Sequence, residues 1–302
     1  MTNILQEILD KIALKNPNHA AKLLINIDDL DANYHKTAND FFNKYNEYLL
    51  KTNKTIDFGI DCYLHMIADM LEERFNFIRT GQYSNTSFDA VEKRVYGDPK
   101  IMDYHMHGLV LAQFLWFDQY DRILFFKDNL KKYNSNTNNY LEIGGGHGLY
   151  INEALNVMPE ISRFEMVDIS QSSLDLAMGI LNTDKINYYL KNIFDFDTTQ
   201  KYDFITMGEV LEHVEQPLEL LQKAGDLLAD NGVFYITTPI NAPMIDHIYL
   251  FNNEQEIREM IYSANFEIIE EKIVISEKIS AEKAAKQKVP VMYAAFLKKK
   301  LN

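Results

Sequence analysis

The sequence is poor in cysteine and in positive charge, and each shortage argues against particular classes of protein. Cys62 is the only cysteine among 302 residues, so an internal disulfide bond and a cysteine-based zinc site are excluded. This fits a reducing cytoplasm, and we expect Cys62 to be a core side chain. The 30 basic residues are outnumbered by 44 acidic ones, which gives a formal charge of −14. Because proteins bind nucleic acids through basic residues that neutralise phosphates, we expect no nucleic-acid partner and a neutral or cationic small ligand.

Long apolar runs are missing as well. The opening residues MTNILQEILDKIAL have no basic start and space their apolar side chains like a helix face, so we expect neither a signal peptide nor a membrane span. The composition, 47% apolar and 12% aromatic, is that of a folded globular protein. A chain of this length is long enough for two domains that each bury a core.

The spacing of the apolar residues changes near residue 130. Before that point they recur every three or four positions, as in LQEILDKIAL and CYLHMIADMLEERFNFI, which predicts helices. The pattern predicts a loop over 80–99 and then one long helix over 101–129, apolar on nearly every side and buried between domains. The polar, Asn-rich segment KKYNSNTNN over 131–139 predicts a boundary between a helical domain, 1–130, and a second domain, 131–302.

The second half alternates short apolar runs with helical patterns. The runs are NYLEIG, RFEMVDI, INYYL, YDFITMG and GVFYITTP, and this alternation predicts a doubly wound parallel sheet. Two further runs, FEIIEEKIVI and VMYAAFLKK, predict an antiparallel hairpin at the sheet edge. We therefore expect an α/β fold with a Rossmann-like, seven-stranded, mostly parallel sheet, preceded by an all-helical N-terminal domain.

A glycine-rich turn follows the first predicted strand of that sheet. In YLEIGGGHGLY, residues 140–150, Gly144 and Gly146 allow the backbone to turn tightly and to approach a ligand closely. The next strand ends at Asp168, where a carboxylate can accept both hydroxyls of a ribose. Leu149 occupies the position at which a dinucleotide-binding fingerprint requires its third glycine, and the Gly-Lys-Ser/Thr ending of a P-loop is absent. These features predict an adenosine ligand other than a dinucleotide.

Four segments in register over residues 139–299 resemble the class I S-adenosylmethionine-dependent methyltransferases. EIGGGHG over 142–148 resembles their motif I, E-x-G-x-G-x-G. MGEVLEHVEQP over 207–217 resembles the fourth-strand segment of the ubiquinone-biosynthesis type of O-methyltransferase. TTPINAP over 237–243 resembles the fifth strand and substrate loop. In the third motif, where the family usually has Gly-Asp, this chain has Lys191-Asn192, so the adenine contact is the least certain part of the match.

The resemblance implies S-adenosylmethionine as the cofactor and S-adenosylhomocysteine as its product. It also implies a set of cofactor-binding residues on the loops that follow the strands, together with two candidates on the preceding helix for the carboxylate of the cofactor. The loop residues are Glu142, Gly144, Gly145, Gly146, Asp168, Ile169, Asn192, Ile193, Gly208 and Glu209, and the two helix candidates are Tyr104 and Gln113.

Methyl transfer is an in-line displacement that depends mostly on positioning, so few catalytic residues are needed. A hydroxyl acceptor benefits from a general base, for which histidine is suited. His247, in the loop after the fifth strand, is the first candidate, with a loop contact as its structural alternative. His105 and His107, at the predicted join between the domains, are the others, with buried interface histidines as the alternative.

The fourth-strand segment also offers candidate metal ligands. Glu209, Glu212 and His213 are spaced for one face of a predicted helix and could bind a divalent ion. Because the same letters recur in metal-free relatives, we expect no metal.

The sequence does not identify the methyl acceptor. An oxygen of a small molecule or natural-product intermediate is the first expectation, and a modified peptide, for example its carboxylate, and N-methylation of an amine are alternatives. A noncatalytic cofactor-binding or scaffold protein and a nucleotide-dependent oxidoreductase are rivals from other classes. The N-terminal helices are expected to help form the acceptor site. The same helices could serve a homodimer, and the sequence leaves the oligomeric state open.

Overall fold

The computed structural model describes residues 3–31, 33–197 and 199–300. Its N-terminal part is helical, as the apolar spacing predicts. Local sequence sets several helix ends: the Asn3 side chain caps the first helix, and Asn16 ends that helix and caps the next, which starts with Pro17. The helices are α1 (Ile4–Lys15), α2 (Pro17–Ile27), α3 (Tyr34–Lys51), α4 (Ile56–Thr80), α5 (Phe88–Val91), α6 (Pro99–Leu115) and α7 (Phe117–Leu130).

Two local predictions in this region were wrong. The loop expected over 80–99 contains α5 and a turn of π-helix, Glu92–Tyr96. The single helix expected over 101–129 is broken at Trp116, whose backbone is extended with φ −105° and ψ 125°. No proline or glycine marks this break. The indole of Trp116 donates a hydrogen bond to the Tyr63 hydroxyl at 2.8 Å, a long-range contact that the local sequence pattern does not encode.

The second half forms one seven-stranded sheet, which confirms the expected fold class. The strand order is β3-β2-β1-β4-β5-β7-β6; β1 to β5 pair in parallel, and β7 pairs antiparallel with both β5 and β6. The strands are β1 (Asn139–Ile143), β2 (Arg163–Asp168), β3 (Ile186–Leu190), β4 (Tyr202–Gly208), β5 (Leu228–Ile240), β6 (Phe266–Ile275) and β7 (Val291–Lys299), and the helices among them are α8 (Leu149–Val157), α9 (Gln171–Leu181), α10 (Pro217–Leu227), α11 (Glu254–Ser263) and α12 (Ala281–Gln287).

The strand order reverses beside β1, with β2 on one side and β4 on the other. In open α/β sheets, ligands bind at such a switch point, outside the carboxyl ends of the strands. The glycine loop after β1 and the carboxylate that ends β2 both lie at this point. The topology alone therefore brings the predicted cofactor residues together.

The N-terminal helices pack directly on the sheet. Phe126 of α7 lies 5.0 Å, between ring centroids, from Tyr150 and 4.8 Å from Tyr235 of β5, and one apolar cluster runs from α1 through α7 to the sheet. Cys62 is buried on α4. The boundary at residue 130 stays a prediction. Within the described ranges, every helix is too short or too polar to cross a bilayer.

Candidate cofactor and acceptor site

A cavity of about 1060 Å³ lies at the switch point of the sheet. Its walls come from the glycine loop, from the carboxyl ends of β2 and β4, from the loop after β5, and from helices α2, α4 and α6. Both halves of the chain thus line one cavity. This is the arrangement expected if the N-terminal helices contribute to the acceptor site.

The glycine loop has the backbone geometry of a ligand cradle. Gly144 has φ +65° and its N–H donates to the Val167 carbonyl at 2.9 Å, which ties the loop to β2. Gly146 has φ +53°, a conformation that side-chain-bearing residues rarely adopt. A Cβ added to Gly146 would meet only the Met106 methyl group within 4 Å, at 3.6 Å. The space beside Gly146 is therefore open to a ligand.

Asp168 ends β2 with its carboxylate held by the backbone. One oxygen accepts the Ser170 N–H at 2.8 Å and the other accepts the Gly146 N–H at 3.2 Å. Burial raises the pKa of Asp168, while these two N–H groups act in the opposite direction. Because a carboxylate has about four acceptor sites, roughly two remain for ligand hydroxyls. The role of Asp168 in binding a ribose stays a prediction, for which these acceptor sites are available.

Glu142 on β1 supplies a buried carboxylate with one unpaired oxygen. Its Oε2 atom is buried and has no hydrogen-bond partner in the described part of the chain, and burial raises its pKa well above the ordinary value. Buried polar atoms normally have a hydrogen-bond partner, so we expect a ligand to supply one here. The amino group and sulfonium of S-adenosylmethionine carry positive charge, so the site fits the methionine end of that cofactor.

The other loop candidates line the same cavity, namely Gly145, Ile169, Asn192, Ile193, Gly208 and Glu209. The Asn192 side-chain oxygen accepts the Phe194 N–H at 3.0 Å, which leaves its amide NH₂ group to donate to a ligand. The departure from the family's Gly-Asp pair therefore still places a polar side chain on the cavity wall.

Glu209 lies outside any helix, which corrects the expectation for the fourth-strand segment. It follows β4 with φ +56°, and only Leu211–His213 form a short 3₁₀ turn. Its carboxylate forms an ion pair with Arg122 of α7, whose side chain is fully buried. Sequence reasoning missed Arg122, because an isolated arginine in a helix carries no motif.

The candidates on α6 divide by helix face. His105 and Gln113 line the cavity together with Leu109 between them, because residues four positions apart are neighbours on one face of an α-helix. Tyr104 points elsewhere and donates to Asp69 at 2.6 Å. His107 contacts the Tyr45 hydroxyl at 2.7 Å, and burial lowers its pKa to about 4. The structure therefore does not bring Tyr104 and His107 to the cavity.

Three histidines and one aspartate cluster where the loop after β5 meets α6 at the cavity wall. The Asp246 carboxylate lies 3.4 Å from His105 Nε2 and 3.5 Å from His213 Nδ1. Burial would raise the pKa of Asp246, but His213 and His105 hold it below its ordinary value. His247 Nδ1 lies 2.6 Å from the Ala242 carbonyl, and burial and His213 lower its pKa to about 3. Sequence reasoning missed Asp246, which precedes His247 directly.

The geometry of possible metal ligands also differs from the predicted trio. Glu209 is turned toward Arg122, whereas Glu212, His213 and His247 have ligand-type atoms within 4.8 Å of one another. Glu212 already accepts a hydrogen bond from the Thr238 hydroxyl at 2.9 Å. The expectation of a metal-free site remains a prediction.

Comparison with known proteins agrees with this geometry. Residues 112–271, more than half of the chain, match the family model described as a methyltransferase domain. The chain belongs to this methyltransferase family. This match confirms three predictions made for this chain: the fold class, S-adenosylmethionine as the cofactor, and a methyltransferase as the class of enzyme.

The individual relatives of this methyltransferase share only modest sequence identity with it. It is 27% identical over 183 residues to a ubiquinone biosynthesis O-methyltransferase of Rickettsia bellii, covering 53% of this chain and 74% of the relative. It is 30% identical over 103 residues to the mitochondrial ubiquinone biosynthesis O-methyltransferase of Candida albicans, covering 32% of this chain and 31% of the relative. The solved structure of the mitomycin 7-O-methyltransferase MmcR has a TM-score of 0.52 at 11% identity, covering 76% of this chain and 67% of that chain. At that identity the likeness concerns the fold alone.

Proposed function

We propose that this methyltransferase methylates an oxygen of a small molecule, such as a natural-product intermediate. The observation that carries the proposal is that the Asp246–histidine cluster lines the same cavity as the glycine loop and Asp168. A hydroxyl that is methylated loses its proton, and a histidine beside a carboxylate can accept that proton. The curated relatives named above are O-methyltransferases, which supports the choice of oxygen.

His105 is our candidate for the base. Both of its ring nitrogens are buried and have no hydrogen-bond partner in the described part of the chain, and Nε2 lies 3.4 Å from the Asp246 carboxylate. A proton on Nε2 would be attracted to Asp246 and would leave the Nδ1 lone pair to accept the proton of the acceptor. His247 is less suitable, because its pKa of about 3 makes it a weak base. Asp246 is thus a positioning residue.

The remaining residues hold the reactants. When bound, S-adenosylmethionine supplies an electrophilic methyl group and leaves as S-adenosylhomocysteine. Asp168 would accept hydrogen bonds from the ribose, and Glu142 would lie against the positively charged methionine end. The walls of the cavity would keep the acceptor hydroxyl near the methyl group, which is the main requirement of an in-line transfer.

Methyl-labelled cofactor tests this proposal directly. Purified protein is incubated with extracts and labelled S-adenosylmethionine, and products that gain one CH₂ are sought by mass spectrometry. We expect a product whose methyl group survives mild base and maps to an oxygen. A base-labile methyl ester would instead indicate a carboxylate, as on a modified peptide, and a methyl group on nitrogen would indicate N-methylation. Intact S-adenosylhomocysteine binding without any transfer would favour the noncatalytic alternative.

A further inference from the structure

The acceptor side of the cavity has an unusually adaptable apolar wall. Five of the chain's 12 methionines line the cavity. Methionine side chains are flexible and polarizable, and they contact aromatic rings favourably. The methionines are Met70, Met102, Met106, Met244 and Met292, and the other apolar or aromatic side chains of this wall include Ile67, Leu71, Leu109, Trp116 and Phe117. Such a wall fits an aromatic or otherwise apolar body.

The side of the cavity formed by α2, α4 and the segment after β6 carries positive charge. Lys22, Arg74 and Lys278 line it. Lys278 is paired with Asp29. Arg74 donates instead to main-chain carbonyls, that of Gln287 at 2.8 Å and that of Lys288. It forms no ion pair among the described residues, and Glu277 is the carboxylate whose charge acts on it.

Lys22 is the cation most available to a ligand. It is exposed on α2, and no carboxylate of the described residues lies within ion-pairing distance of its ammonium group. The carboxylates that line this part of the cavity are Glu277 and Asp118. Asp118 is almost fully buried, and burial raises its pKa, whereas attraction to Arg122 acts in the opposite direction. Lys22 therefore stays a cation of this wall with no carboxylate partner in the described part of the chain, in a protein whose formal charge is −14.

We propose that the acceptor is amphiphilic, with a hydroxyl on an apolar or aromatic body and an anionic group, carboxylate or phosphate, at its other end. This rests on the proposed O-methylation. The hydroxyl lies beside His105, the body lies against the methionine-rich wall, and the anion lies against Lys22 and Arg74. The net charge of the chain suggested a neutral or cationic acceptor; the local charge along the cavity wall points the other way.

The cations also explain how an acidic protein can select an anion. Its overall field repels anions at a distance, but that field is screened beyond about 8–10 Å at ordinary salt. Within the cavity, the nearest charges dominate, and the apolar walls lower the local dielectric and strengthen them. Recognition should therefore weaken as salt is added, and it should depend on Lys22 in particular.

Trp116, the only tryptophan, lines the cavity and provides a fluorescence signal for binding. The probes are ω-(4-hydroxyphenyl)alkanoates of increasing chain length and the matching neutral amides. Each is titrated in the presence of S-adenosylhomocysteine against the unmodified protein, Lys22→Glu and the control Lys36→Glu. Lys36 is an exposed lysine of α3 outside the cavity lining, so the control changes the net charge equally.

We expect the acids to bind the unmodified protein and Lys36→Glu at least about fivefold more tightly than the amides, a ratio near that of an exposed ion pair. Lys22→Glu should remove this preference while leaving amide binding unchanged. Equal or tighter binding of the amides, no binding of either series, or a preference that survives Lys22→Glu would overturn the proposal. Calorimetry with S-adenosylhomocysteine on the same samples separates the two proposals. Failure to bind S-adenosylhomocysteine would refute the proposed function, whereas normal cofactor binding without a preference for the acids would refute only the anionic acceptor.

Discussion

Replacing Asp168 by alanine should weaken cofactor binding strongly while leaving the fold intact. The carboxylate already accepts two backbone N–H groups, from Ser170 and Gly146, and roughly two acceptor sites remain for the ribose hydroxyls. Two hydrogen bonds to a charged group, at about 1.5 kcal/mol each, amount to about 3 kcal/mol, or roughly 150-fold in Kd. Because burial raises the pKa of Asp168, the loss should be largest at neutral and higher pH, where the carboxylate is ionised.

Calorimetric titration with S-adenosylhomocysteine measures this loss. Asp175→Ala is the matched control, because Asp175 lies exposed on α9, outside the cavity lining, and its removal changes the net charge equally. The control should bind as tightly as the unmodified protein. If Asp168→Ala stays folded and loses less than about fivefold in affinity, the carboxylate does not hold the ribose and the assignment of the cofactor site is wrong.

Other residues give further predictions. Gly146→Ala should lower S-adenosylhomocysteine affinity at least about tenfold by calorimetry, because its Cβ enters the open cradle, while the strain at φ +53° costs only about 1–2 kcal/mol of stability in denaturant unfolding. Glu142→Gln should weaken S-adenosylhomocysteine binding about tenfold, and unchanged binding would contradict the role of Glu142 in holding the methionine end. The contribution of Glu142 to the stability of the ligand-free protein falls as the pH rises from the ordinary carboxyl pKa toward the raised pKa of Glu142. The same variant should remove this pH dependence. Asp246→Asn should lower kcat about a hundredfold with S-adenosylhomocysteine affinity kept, and an unchanged kcat would remove Asp246 from the mechanism. His107 and His247, with pKa values lowered to about 4 and about 3, stay neutral when folded and take up protons when unfolded. Their joint contribution to the unfolding free energy should drop by about 3 kcal/mol from pH 7.5 to 5.5, opposite in sign to that of Glu142. The difference between the pH profiles of the unmodified protein and a His107→Gln, His247→Gln variant measures it, and identical profiles would argue against their burial.

The sequence predicted the parts of the site that depend on local backbone chemistry. The glycine loop needs positive φ angles at Gly144 and Gly146, and only glycine adopts these freely. The loop can therefore be recognised from the amino-acid sequence. Asp168 was found because it ends an apolar run of strand length. The helical first half followed from apolar residues that recur every three or four positions, and the sheet followed from short apolar runs that alternate with helical patterns.

The parts that depend on long-range contacts could not be predicted. Nothing near Trp116 marks the break between α6 and α7, since the bond to Tyr63 that accompanies it spans 53 residues. Arg122 and Asp246 reach the site only through tertiary packing, because α7 and the loop after β5 must first pack against the sheet. Tyr104 was a candidate because it is close in sequence to His105, but adjacent helical positions point about 100° apart.

The N-terminal helices leave two expectations open to experiment. The domain boundary at residue 130 and a homodimer through these helices both remain predictions. Analytical ultracentrifugation of the full chain would decide the second: a monomer at micromolar concentration would exclude the dimer.

The structure of the protein crystallised with S-adenosylhomocysteine tests the central claim most directly. We predict the ribose hydroxyls at Asp168, the amino acid end between Gly146 and Glu142, and the sulfur facing His105 and Asp246 across the cavity. A nucleoside bound elsewhere on the molecule, or one whose sugar lies away from the end of β2, would contradict this account.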